Sequence, residues 1–177
     1  MIKAIAISNL KGTVQARIEL PRVAVLVGEN GTGKTTVIQA GKLSITGAVP
    51  EANVSGTSDV FTLARSGEGI NSLSVGLELD GPAGPFQFAR NYSRAVTRDP
   101  GTGKTGEKVS QDITLFPANG ETKLADKEAK IRLVCGLDPV SVDVRSFLDM
   151  SDAKRRDFFY GLGGAGGLGG GGAGGYT

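Results

Sequence analysis

The sequence has no histidine and only one cysteine, Cys135, among its 177 residues. Metal centres built on histidine, or on cysteine with histidine, are therefore excluded, as is an internal disulfide framework. A reducing cytoplasm fits that usage. Long apolar runs are also missing: no stretch approaches the ~18 residues that would span a membrane. The start, Met1-Ile2-Lys3-Ala4-Ile5-Ala6-Ile7, turns polar too soon for a signal peptide. The expectation is a soluble cytoplasmic protein with no membrane partner. Nor is there an excess of one charge, since 20 basic residues face 18 acidic ones for a net +2. Any contact with nucleic acid would have to be local. Between Gly161 and Thr177 charge disappears altogether and glycine dominates. Such a segment has almost nothing to bury against its ordering entropy. The expected organisation is a folded region over residues 1–160 and a flexible glycine-rich tail or linker over 161–177, either natural or a spacer standing in for other sequence.

Within the folded region, hydrophobic periodicity predicts the elements. Ile5 and Ile7 open one strand, Lys11-Gly12 turns, and Val14, Ala16, Ile18 and Leu20 alternate with polar residues as in a half-buried strand. Val23-Ala24-Val25-Leu26-Val27 is apolar at every position, which predicts a strand buried on both faces. A helix is expected from Lys34, fading near Gly47 and Pro50. Residues 51–72 read as loop with short strands. Leu73, Val75, Leu77 and Leu79 predict a strand turned by Asp80-Gly81 into an antiparallel partner over Phe86–Arg90, and Ile113–Phe116 adds another. A helix closed by Gly136 is expected over Lys123–Val134, and Ser151 is placed to cap a last helix running through Phe159.

The stretch Gly28-Glu29-Asn30-Gly31-Thr32-Gly33-Lys34-Thr35 satisfies G-x-x-x-x-G-K-[ST] at every fixed position, and Thr36 follows it. Glycines let successive backbone N–H groups converge on one centre, and the N-terminus of the following helix adds its partial positive charge. Lys34, the catalytic residue assigned here, can then reach the β- and γ-phosphates of ATP, while the Thr35 hydroxyl can ligate Mg²⁺. Residues Gly28, Glu29, Asn30, Gly31, Thr32, Gly33, Lys34, Thr35 and Thr36 form the expected nucleotide site. A second stretch, Gly101-Thr102-Gly103-Lys104-Thr105-Gly106, repeats part of these letters. Arg98 stands where its first glycine should be and no apolar strand leads in, so it reads as an exposed hairpin tip or loop. Arg90, Arg94, Arg98, Lys104 and Lys108 are either a local DNA-facing patch or a solvated loop.

Hydrolysis also needs a Mg²⁺-organising carboxylate at the end of a buried strand and a group to position water. No apolar run ending in Asp-Glu occurs. Leu77-Glu78-Leu79-Asp80 alternates instead, as a surface strand and its turn would. The catalytic half is therefore expected elsewhere.

Ile5-Ala6-Ile7-Ser8-Asn9-Leu10-Lys11-Gly12, the alternating strand, and the loop with Asn30 before Gly31 together resemble the N-terminal lobe of the SMC, RecF and SbcC group of ABC-type ATPases. The Phe86–Arg90 strand with its arginine, and the patches Cys135–Asp138 and Phe147–Phe159, extend the likeness. The resemblance implies an α/β fold of the P-loop NTPase class, an ABC-type ATPase N-terminal lobe with an antiparallel β subdomain and flanking helices. It also implies a C-terminal ATPase lobe, on the same or a second chain, carrying the signature motif, the second Mg²⁺ carboxylate and the catalytic glutamate. ATP-dependent dimerisation of such heads, coupled to work on DNA, follows by fold-level analogy. The chain departs from the pattern between Asp138 and Phe147, which holds no glutamine for Mg²⁺; Gln111 lies too early. Two other classes remain open. One is a self-contained kinase or GTPase, although no N-K-x-D guanine reader is present; the other is a non-catalytic nucleotide-binding module.

Overall fold

The computed structural model describes residues 1–67, 69–98, 105–136 and 151–156. Five strands, β1 (Ile2–Leu10), β2 (Thr13–Glu19), β3 (Ser72–Gly81), β4 (Gly84–Arg98) and β5 (Thr105–Phe116), form one sheet in the order β2-β1-β3-β4-β5. Every neighbouring pair is antiparallel. Helix α1 (Lys34–Thr46) packs across β1 and β3, and α2 (Leu124–Cys135) meets β5 and α1. Between α1 and β3 the chain makes short 3-10 turns at Pro50–Ala52 and Thr57–Leu63.

Alternation decides which face of the sheet is covered. Ile5 and Ile7, Leu73, Val75, Leu77 and Leu79, Phe86 and Phe88, and Ile113 and Leu115 are buried, while Ala6, Gln87 and Thr114 on the other face are exposed. Removing each such aliphatic or aromatic side chain from water contributes about 1.5–3 kcal/mol. Leu10 is an instructive exception, because strict alternation after Ile7 would turn it away from the core. Asn9 adopts φ 54 and donates from Nδ2 to Ser72 O at 3.1 Å, and the chain past it delivers Leu10 to full burial. Asn accepts the left-handed conformation more readily than most residues with a side chain. The Thr57–Leu63 turn is tied beside it, with Lys11 N–H on Leu63 O at 2.8 Å and Arg65 N–H on Asn9 O at 2.8 Å.

The helix face of α1 follows the same logic at its own period. Thr36, Gln39, Ala40 and Leu43 are buried at i, i+3, i+4 and i+7. Gly47, at φ 73, closes the helix with its N–H on Leu43 O at 2.9 Å. Gly136 ends α2 in the same way, its N–H meeting Arg132 O at 3.1 Å.

The expected α/β architecture is corrected by this arrangement. The described strands form a purely antiparallel sheet with few helices, not the mixed parallel sheet of a P-loop NTPase fold. Val23–Val27 is the point of divergence. It forms no strand, and Val23, Val25, Leu26 and Val27 are 80%, 80%, 39% and 89% exposed. A strand buried on both faces needs neighbours on both edges for its N–H and C=O groups. Here the segment pairs with neither edge strand of the sheet, β2 or β5, among the described residues, so its apolar side chains have no sheet to join.

The chain divides into two compact units, 1–139 and 140–177. In the second, the described residues 151–156 form a helical turn, with Arg155 N–H on Ser151 O at 2.9 Å and the Arg155 guanidinium 3.4 Å from Asp152 Oδ1. The remainder of the helix expected through Phe159, the 161–177 tail, the Cys135–Asp138 patch beyond Gly136, and Phe147 lie outside the described residues. Among the described residues no helix is long and apolar enough to cross a membrane.

Candidate functional site

Residues 28–33 lead directly into the first turn of α1. Gly31 and Gly33 stand at φ 88 and φ 93, a region where a Cβ costs about 1–2 kcal/mol. At Gly28 the constraint is space instead, since a Cβ there would lie 2.8 Å from Thr32 Oγ1. The Thr32 hydroxyl donates to Glu29 O at 2.9 Å, folding the loop on itself. Gly31 and Gly33 are thus favoured by backbone conformation, and Gly28 by the closeness of the Thr32 side chain.

Gly33 is the N-cap of α1 and makes no side-chain capping bond, and the first turn contains no acidic residue. The first amides of a helix have no acceptor within it, and here no side chain among the described residues takes that place. Only at Val37 does the ladder begin, with its N–H on Gly33 O at 3.1 Å. The partial positive charge of the helix end is left for a ligand to meet.

The Lys34 ammonium donates to Gly28 O at 2.6 Å and to Glu29 O at 2.7 Å. An ammonium has three donors, so two hold the side chain over its own loop. The arrangement brings Gly28, Glu29, Gly33 and Lys34 together. Asn30 and Thr35 are exposed beside them, whereas Thr36 is 7% exposed and belongs to the buried face of the helix. Thr35 supplies a hydroxyl and nothing more to a cation: no group of three or more Asp, Glu, Cys or His residues that could hold a metal occurs among the described residues.

Other sequence candidates are placed elsewhere. Gln111 is on β5 and accepts from the Thr57 hydroxyl at 2.8 Å. Glu78 is held by Arg17 through Nε at 2.9 Å and Nη2 at 2.8 Å, and Asp80 pairs with Lys3 at 2.9 Å. The Arg17 guanidinium keeps the Glu78 carboxyl below its usual range. Both carboxylates are thus held in surface ion pairs at the outward positions of β3, but β3 is not the surface strand expected: it is the central strand of the sheet, with Leu77 and Leu79 buried. The GTGKT repeat falls between paired β4 and β5, which meet at Arg98 and Thr105, and residues 99–104, Lys104 among them, lie outside the described residues.

The basic patch is corrected at its centre. Arg90 is fully buried and cannot face DNA. Its Nε donates to Ser44 O at 2.6 Å, Nη2 to Ile45 O at 3.0 Å and to Glu128 Oε2 at 2.7 Å, and Nη1 to Glu128 Oε1. Arg94 lies 4.9 Å over the Phe61 ring and donates to Ile70 O at 3.1 Å, so it too serves the fold. Position in the alternating run was the available signal, since Arg90 shares the inward parity of Phe86 and Phe88.

No family model matches the chain, and no curated protein matches it in sequence.

Proposed function

We propose that residues 28–36 bind the phosphates of ATP with Mg²⁺, and that the chain serves as the ATP-binding lobe of an SMC/RecF/SbcC-like ATPase acting in DNA repair or chromosome processing. The observation that carries the reading is the loop itself: an uncapped helix N-terminus, two left-handed glycines and the Lys34 ammonium all meet at one exposed turn. Bound phosphate would take over Lys34 from the carbonyls of Gly28 and Glu29 and would accept from the open amides of the first turn. The Thr35 hydroxyl would contribute one ligand to Mg²⁺.

The chain requires a second lobe to hydrolyse ATP. No acidic cluster accompanies the loop among the described residues, and the exposed Val23, Val25 and Val27 support a partner surface at the loop's entry. A C-terminal lobe from the same or a second chain fills that role in this reading, as ATP-dependent dimerisation of the heads would require.

The test is calorimetry of ATP·Mg²⁺ binding to the chain and to Lys34→Ala, with phosphate release measured on the same samples. Losing a charge-assisted contact of about 1.5–3 kcal/mol should weaken affinity at least tenfold. Turnover by the chain alone should be nearly silent, because groups supplied by a partner in related enzymes are worth about 10³–10⁵ in rate. Equal affinity in the two proteins would reject the site. Robust turnover lost in Lys34→Ala would point to a self-contained enzyme.

A further inference from the structure

The two ends of α1 are held in very different ways. Its N-terminus is the exposed phosphate loop; its C-terminus is fastened inside the core by Arg90, which reaches from β4. The last carbonyls of a helix have no intrahelical donor. Gly47 N–H takes Leu43 O, and Arg90 takes the next two, Ser44 O and Ile45 O. The fit is close, because a Cβ on Gly47 would lie 3.3 Å from Arg90 Nη1. Nη1 and Nη2 also donate to the Glu128 carboxylate of α2, so one buried cation joins the sheet, α1 and α2.

We propose that Arg90 is a positioning residue for the phosphate loop and that, through Glu128, it links occupancy of that loop to α2. The inference rests on the reading of residues 28–36 as the nucleotide site. The link is mechanical. Thirteen residues of helix span about 20 Å, and the Glu128 carboxylate offsets the charge of the guanidinium, so the field of Arg90 has little effect at the loop. A helix packed against a sheet moves as a rod, however, and its far end is fixed by the same guanidinium that fixes α2. Ordering the loop on phosphates restrains α1, and the restraint reaches α2 through the bidentate Arg90–Glu128 contact.

The experiment uses the full chain, with ATP·Mg²⁺ as probe. Amide hydrogen exchange over residues 124–135 and calorimetric affinity are read on the parent, Glu128→Gln and Lys127→Ala. The glutamine keeps the shape of the side chain and removes its charge; Lys127→Ala, on the same helix, breaks the 3.0 Å pair with Asp112 of β5 and leaves Arg90 untouched. In the parent, ATP should slow exchange in α2 about fivefold or more, the lower end of ordinary coupling between sites. Lys127→Ala should respond alike, while Glu128→Gln should still bind ATP and lose the response. A full response in Glu128→Gln, loss of response in Lys127→Ala, or an unresponsive α2 in a parent that binds ATP would each overturn the link. A parent that fails to bind ATP would instead reject the reading of residues 28–36, and the inference with it. Should Glu128→Gln not fold, Arg90→Lys, which keeps the charge but cannot bridge helix and carboxylate together, gives the same comparison.

Discussion

One face of α1, carrying Thr36, Gln39, Ala40 and Leu43, is buried, whereas Thr35 and Ile38 on its other side are exposed, as is the apolar Val23–Val27 segment that precedes it. The buried side is covered: it packs on β1 and β3, and a buried arginine takes carbonyls at the helix end, although Gln39 Oε1 finds no hydrogen-bond partner among the described residues. The exposed side has apolar sequence of equal strength and no cover among the described residues. Hydrophobic character is therefore a demand for burial, and the fold decides whether the same chain meets it. Contiguous apolar surface left open marks an interaction site or an aggregation hazard.

The sharpest way to break the comparison is at the covered side. Arg90→Ala would leave the Glu128 carboxylate and the carbonyls of Ser44 and Ile45 without their donor, and removing one partner of a buried pair costs about 3–5 kcal/mol. Denaturant unfolding should show that loss directly. A change below ~1 kcal/mol would mean that the guanidinium does not hold the core together.

A smaller effect is expected at Tyr92, which is 1% exposed and whose hydroxyl has no partner among the described residues. Burial pushes its phenol up to about 12, with Arg90 opposing and Glu128 adding to the rise. The unfolded chain ionises near pH 10 while the folded one stays protonated, so the unfolded state binds fewer protons between pH 10 and 12. Stability must fall as pH rises through that window, by about 1.4 kcal/mol per unit from this group. Tyr92→Phe should lack that part of the slope and lose nothing at pH 7, since a buried hydroxyl without a partner is itself a cost. Parallel pH slopes for the two proteins would place the phenol in water.

The smallest effect belongs to the open side. Val23→Ser, Val25→Ser and Val27→Ser should each change the stability of the chain alone by no more than ~0.5 kcal/mol, as at ordinary surface positions. Thermal unfolding that drops strongly for any of them would show that the segment is covered after all, and the contrast between the two sides would vanish.

Much of the sheet was legible because alternation is a local property. Ile5 and Ile7, the run from Leu73 to Leu79 and the pair Phe86 and Phe88 point inward wherever their strands are placed, and Asp80-Gly81 announced the turn between β3 and β4. The helix boundaries at Lys34, Gly47 and Gly136 were legible for a similar reason, since loop glycines and C-cap glycines act within a few residues. Residues 51–72 misled because 3-10 turns have no distinctive period; loop with short strands was expected there, and turns at Pro50–Ala52 and Thr57–Leu63 are found. Arg90 misled because charge suggested exposure while its parity in the strand placed it inside.

By itself, then, the sequence determined the glycine-rich turn over residues 28–33, the parity of β3 and of the Phe86–Phe88 run, and the ends of the helices, all of which depend on residues close together along the chain. Only the tertiary structure decided that the sheet is antiparallel throughout, that Val23–Val27 joins no strand, and that Arg90 bonds Ser44, Ile45 and Glu128 from 38 to 46 residues away. Those outcomes rest on which backbone edges and which buried polar groups find partners. Partners distant in sequence leave no period by which a local pattern could announce them.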